Sequence, residues 1–87
     1  MQVIGTNSWR TELPESVLIT QALKFSEEVE ADGVAELIDA WIAPEQKMLW
    51  CTWNTDDVDR LQKAFDVMNE RSGLESTLSV VNRFYPE

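Results

Sequence analysis

Apolar residues alternate with a period of two in four segments of this chain and recur every three or four positions in two others. The two-residue period predicts strands over residues 1–9, 34–43, 48–53 and 76–85, because successive side chains of a strand point to opposite faces. The longer period predicts helices between the first and second strands and between the third and fourth. The predicted order of elements is therefore β-α-β-β-α-β.

The first helix is predicted over residues 14–31, with Pro14 as its first residue, where the missing N–H costs nothing. Its apolar stripe comprises Leu18, Ala22, Phe25 and Val29, widened by Ile19 and Leu23. The second helix is predicted to begin after Thr55 as N-cap and to stop at Gly73. Its stripe comprises Val58, Leu61, Phe65 and Met68.

The two central strands carry large apolar side chains on both faces. The period of two places Val34, Glu36, Ile38, Ala40 and Ile42 on one face of the first, and Ala35, Leu37, Asp39, Trp41 and Ala43 on the other. In the second, Met48, Trp50 and Thr52 oppose Leu49, Cys51 and Trp53. In the strands of a sheet with one solvent-exposed face, apolar residues alternate with polar ones. Both faces of this sheet are apolar, so we expect other structure to pack on both. Helices cover one face, and we expect a second copy of the chain to cover the other.

The order of elements predicts one domain over residues 1–87 with an α+β, ferredoxin-like fold. In that fold a four-stranded antiparallel sheet carries both helices on one face. The bare face is the candidate for dimerisation through the sheet. A homodimer would also help a domain this small, because short chains bury a smaller share of their surface.

The acidic charge of the chain limits the classes of molecule that it can bind. Sixteen acidic and seven basic residues give a net charge of −9, which opposes binding to nucleic acid and to anionic membrane surfaces. The single cysteine, Cys51, rules out an internal disulfide. No apolar run approaches the roughly 20 residues that span a bilayer. The sequence does not open with a basic segment followed by an apolar one, so we expect no secretory leader. We expect a cytoplasmic protein.

Candidate chemistry is sparse. The chain has no histidine, so histidine-based triads and zinc sets are absent, and its three glycines form no phosphate loop. We predict no catalytic residue, no cofactor and no metal site. The acidic residues near 27–32 and 56–59 are interpreted as a solvated helix end and a capping turn. Cys51, inside a strand, is interpreted as a small buried residue with an inert thiol.

Some side chains are candidates for a ligand pocket. Aromatic side chains commonly line small-molecule pockets, and this chain has four tryptophans. The predicted pocket residues are Trp9, Phe25, Asp39, Trp50, Phe65 and Arg83. Asp39 and Glu36 interrupt an apolar strand on opposite predicted faces. Buried alone, either would have a raised pKa. If either carboxylate is paired with Arg83 or exposed at a sheet edge, it is an ordinary structural charge with no functional role.

Residues 36–65, ELIDAWIAPEQKMLWCTWNTDDVDRLQKAF, resemble the dimeric α/β-barrel superfamily, specifically its small families of unknown function. The shared pattern is a strand ending in an aromatic, a short turn, a second aliphatic-aromatic strand and an acidic helix start. The resemblance implies two sheets paired face to face and a cavity between sheet and helices. Some members are cofactor-independent monooxygenases, and others bind metals or small metabolites. The metal- and haem-binding branches use histidines, which this chain lacks.

Three hypotheses about function remain open. The first is a homodimeric, non-catalytic protein that binds a small hydrophobic molecule or another protein. The second is a cofactor-independent, monooxygenase-like enzyme for an aromatic or hydrophobic substrate, whose cavity would be reached by Asp39, Arg83 or Tyr85. The third is an acidic module that binds a basic protein through residues 56–59.

Overall fold

The computed structural model describes residues 1–86 and confirms the predicted order of elements. The elements are β1 (Gln2–Ser8), α1 (Glu15–Ala31), β2 (Glu36–Ala43), a 3₁₀ turn (Pro44–Gln46), β3 (Met48–Asn54), α2 (Val58–Ser72) and β4 (Glu75–Val81). Pro14 is the N-cap of α1 rather than its first helical residue. The left-handed backbone of Lys47, at φ 54°, closes the turn between β2 and β3.

The four strands form one antiparallel sheet in the order β2-β3-β1-β4, which is the ferredoxin-like arrangement. Both helices pack on the same face. Phe25 and Val29 of α1 and Leu61 and Phe65 of α2 form one core with sheet residues that include Trp53. The two helices and the sheet therefore enclose one layer of apolar side chains between them.

The start of α2 differs by two residues from the sequence prediction. Asp57, not Thr55, is the N-cap, and its carboxylate accepts a hydrogen bond from the Arg60 N–H at 3.0 Å. Thr55 is buried and ties two segments together, since its hydroxyl donates to the Val34 carbonyl at 2.7 Å and accepts from the Asp57 N–H at 3.1 Å. Gly73 ends α2 in the left-handed conformation, at φ 74°, as predicted.

A β-bulge in β2 changes the predicted faces of that strand. Leu37 lies opposite Trp53 and Asp39 lies opposite Thr52, so Ile38 is an extra residue without a partner in the ladder. Past the bulge the alternation is inverted relative to a regular strand. The prediction that Glu36 and Asp39 lie on opposite faces is therefore wrong, because both belong to the face that carries no helix.

The last strand is shorter than predicted. β4 ends at Val81, and residues 82–86 follow it without regular structure. Arg83, Phe84 and Tyr85 are exposed there, so they belong to neither sheet face. Within residues 1–86, no helix has the length and apolar character needed to cross a membrane.

The face without helices, called the open face below, is partly apolar. By strand register it carries Ile4, Trp41, Met48, Trp50 and Val81 among polar residues such as Thr6 and Ser79. Trp41 is 54% exposed, and the other four are half-buried. The open face thus carries Trp41, the one exposed aromatic side chain among the strand residues that the structure describes.

Candidate ligand pocket

An apolar pocket of about 220 Å³ lies between α1 and the β2–β3 half of the sheet. Its walls include Leu18, Ala22 and Phe25 of α1, Leu37, Ala40 and Ile42 of β2, Leu49, Cys51 and Trp53 of β3, and Phe65 and Met68 of α2. The pocket exists because Ala22 and Ala40 stand where larger side chains would fill the space between helix and sheet.

Three aromatic rings form the inner wall of the pocket. The ring centroids of Phe25 and Phe65 are 4.6 Å apart, and Trp53 stands edge-on to both, at 5.9 and 5.8 Å. These separations and angles are those that aromatic pairs favour. The inner wall is therefore preorganised by packing among its own members.

A small polar cluster lies where the pocket meets the sheet. Asn7 is 3% exposed, and its amide Nδ2 donates to the Leu49 carbonyl at 3.1 Å and to Cys51 Sγ at 3.6 Å. Its Oδ1 accepts a hydrogen bond from the Ser76 hydroxyl. Trp53 Nε1 donates to Cys51 Sγ at 3.0 Å. The cluster satisfies its own polar groups, as buried groups must.

Cys51 is the thiol of this cluster. Burial raises the pKa of the Cys51 thiol above its ordinary value of 9.0, while hydrogen bonds from Trp53 and Asn7 and the contact with the Gly5 carbonyl oppose the rise. The thiol therefore stays protonated at neutral pH and is a poor nucleophile. This agrees with the prediction of an inert, buried cysteine.

The pocket opens to solvent between α1 and the edge strand β2. Ile19 and Leu23, which widen the apolar stripe of α1, border the pocket, and Leu23 is 52% exposed. Ala40 on β2 borders it from the other side and is also exposed. The exposed side chains of Gln21 and Trp41 also border the pocket. The rim is thus mostly apolar, and a small molecule has a route to the inner wall.

The structure brings together three of the six predicted pocket residues. Trp9, Phe25 and Phe65 line the pocket. Trp9 follows β1, and its backbone N–H donates to the Lys47 carbonyl at 3.3 Å, which places its ring near the start of β3.

The other three predicted pocket residues lie elsewhere. Asp39 and Trp50 are on the open face, because they pair in register with Thr52 and Trp41. Arg83 is exposed beyond the end of β4. The sheet separates Asp39 and Trp50 from the pocket, and the early end of β4 removes Arg83 from any strand face.

Sequence reasoning missed Asn7 and Cys51 as pocket residues. Asn7 is not among the predicted pocket residues, yet it shares its period-two face with Val3, Gly5 and Trp9. That alternation was the available signal, because a polar residue on an otherwise apolar strand face is a buried polar candidate.

Metal binding finds no support in the acidic segments. In the part of the chain that the structure describes, no three carboxylate, cysteine or histidine side chains are grouped so that they could hold a metal ion. Asp57 serves as the helix cap instead.

No model of a known protein family matches the sequence, and a search of curated proteins gives no match either. Function must therefore be inferred from the pocket and from the two faces of the sheet.

Proposed function

We propose that this protein is a homodimer that binds a small hydrophobic molecule in the pocket between α1 and the sheet, without catalysis of its own. The observation that carries this proposal is the apolar pocket of about 220 Å³ with an open rim. A cavity of about 150 Å³ lined by apolar side chains is enough to hold benzene in an engineered protein. The pocket is larger, so it has room for one ring with substituents or for two fused rings.

The dimer is proposed to form through the open face. Trp41 exposes more than half of its surface there, beside the half-buried Trp50 and Met48. Burying exposed aromatic and aliphatic side chains against a second copy would remove apolar surface from water. Thr6 and Ser79 lie on the same face and are small enough to allow close approach.

The alternative, a cofactor-independent enzyme, receives less support. Such an enzyme needs an acid or base within hydrogen-bond reach of its substrate. Asp39, Arg83 and Tyr85, the three residues expected to reach the cavity of an enzyme, all lie outside the pocket. We therefore favour binding over catalysis.

Pocket binding is tested with an uncharged fluorescent probe of two fused rings, 1-aminonaphthalene, whose emission shifts to shorter wavelength in an apolar site. The wild-type protein is expected to bind it saturably, with one site per chain. Ala22→Phe places a ring inside the pocket and is expected to abolish binding, because Ala22 lines it.

Ala31→Phe is the matched control. Ala31 is the last residue of the same helix and is exposed, away from the pocket. It should bind the probe like the wild type. Equal binding by Ala22→Phe and Ala31→Phe, with both folded by circular dichroism, would show that the probe binds elsewhere and would refute the proposal.

A further inference from the structure

We infer that the pocket accepts uncharged aromatic molecules of one or two rings and discriminates against anions of the same shape. This inference rests on the proposed binding function and specifies its ligand class. It follows from three properties of the pocket walls: their lack of charge, the engagement of the innermost hydrogen-bond donors, those of Asn7 and Trp53, in bonds within the protein, and the arrangement of their rings.

No charged side chain lines the pocket among the described residues. The lining consists of aliphatic and aromatic side chains, with Asn7, Gln21 and Cys51 as the exceptions besides the tryptophan N–H groups. A carboxylate or phosphate that enters must leave its hydration shell, and here it meets no arginine or lysine in exchange. Burying an unpaired charge is among the most costly events in a protein interior.

The inner polar groups cannot take the place of such a cation. Both donor contacts of Asn7 Nδ2 go to Leu49 and Cys51, and the Trp53 indole N–H is bound to Cys51 Sγ. Within residues 1–86, no buried side-chain nitrogen or oxygen lacks a hydrogen-bond partner. A bound anion would have to break one of these bonds to gain another, which yields no net stabilisation.

Cys51 keeps the pocket neutral as well. It is the single titratable side chain among those that line the pocket in the described residues. Because burial holds its thiol in the protonated form at neutral pH, the pocket carries no charge that could attract a cation or be screened by salt. The protein as a whole has a net charge of −9, which further disfavours the approach of anions.

The ring geometry favours a planar aromatic ligand. Phe25, Phe65 and Trp53 meet one another at tilted or perpendicular angles of 49°, 89° and 83°. A ligand ring that enters therefore finds both edges and faces of neighbouring rings, and aromatic pairs gain from edge-to-face and offset contact.

The test uses two ligands that differ in charge and hardly in shape, 2-naphthamide and 2-naphthoate. Both have two fused rings and one planar substituent, but only the second is an anion at pH 7. Isothermal titration of the wild-type protein at pH 7 is expected to give 2-naphthamide the lower Kd by at least about tenfold, because the carboxylate must be buried unpaired.

A second measurement uses the carboxylate's own titration. Above its pKa, each unit fall in pH raises the neutral fraction of the acid about tenfold. Between pH 7 and pH 5.5 the apparent affinity for 2-naphthoate should rise steeply, while that for 2-naphthamide should stay constant. Ala22→Phe should abolish the binding of 2-naphthamide, and Ala31→Phe should not.

Each outcome decides a different point. If 2-naphthoate binds as tightly as 2-naphthamide at pH 7, and 1-aminonaphthalene still binds in the pocket, the inferred charge selection is wrong and the proposed function stands. If neither naphthalene binds and the fluorescent probe does not bind either, both the inference and the proposed function fail. Tighter binding of 2-naphthamide that Ala22→Phe leaves intact would also overturn the inference, since the selection would then occur outside the pocket.

Discussion

Phe65 serves both the core and the pocket, so its truncation is the most informative single change in this protein. Its side chain is 2% exposed and contacts the rings of Phe25 and Trp53, with centroids at 4.6 and 5.8 Å. Phe65→Ala removes the ring and leaves a void that joins the existing pocket. We expect the domain to lose stability and the pocket to gain volume.

The cost can be estimated from these contacts. Truncation of a buried phenylalanine to alanine costs about 3–5 kcal/mol, which includes the lost burial, the lost ring contacts and the cavity. A domain of 87 residues has a free energy of unfolding of roughly 4–13 kcal/mol in total. The variant should therefore lose a large fraction of its stability. It would be largely unfolded where a total stability of about 4 kcal/mol meets a loss of about 5 kcal/mol.

Urea denaturation followed by far-ultraviolet circular dichroism measures the loss. Val67→Ala is the control, because Val67 is in the same helix but is 52% exposed, and such a change should stay within about 0.5 kcal/mol. Saturating 2-naphthamide should restore part of the stability of Phe65→Ala, since a ligand that binds the folded state alone stabilises it. A loss below about 1 kcal/mol would refute the packing described here, because it would lie far outside the range for a buried ring.

Three further predictions concern the thiol, the open face and the start of α2. The free energy of unfolding of the wild type should fall as pH rises above about 9, because the folded thiol of Cys51 holds its proton to higher pH than the unfolded one. The free energy of unfolding of Cys51→Ala should fall less steeply over the same pH range. Identical pH slopes of the two proteins in urea titrations would contradict the buried thiol. Light scattering should give the wild type a mass near twice 10.0 kDa, and Trp41→Arg or Trp50→Arg should lower it; an unchanged dimer mass in both would exclude the open face as the interface. Asp57→Ala should cost about 0.5–2 kcal/mol as a lost helix cap, whereas Asp56→Ala should cost little, and equal losses in urea denaturation would show that Asp57 does not act as the cap.

The periodicity of the sequence was sufficient for the elements and their order. It also separated Trp50 from Cys51 and Trp53 correctly, since these residues alternate along one strand. It could not tell which of the two apolar faces meets the helices. That ambiguity is why Trp50 was grouped with Trp9 and Phe25 as a pocket residue.

Two other features depend on tertiary structure and left little trace in the pattern. The bulge at Ile38 inverts the faces of most of β2, yet Ile38 looks like any other strand residue in the sequence. The pocket itself arises from the spacing between α1 and β2, where Ala22 and Ala40 leave room. A pattern of residue types predicts which side chains face each other, but not how much space remains between them.

The extra residue in β2, Ile38, also bears on how the chain avoids aggregation through its sheet edge. β2 is one of the two edge strands of the sheet, so its free backbone groups are available to pair with a strand of another chain. A bulge distorts such an edge and makes it a poor template. Deleting Ile38 would leave Leu37 and Asp39 opposite their present partners, so the fold and the pocket would survive. The same deletion would make the outer edge straight, and strands of other chains could then add to that edge and extend it into a fibre.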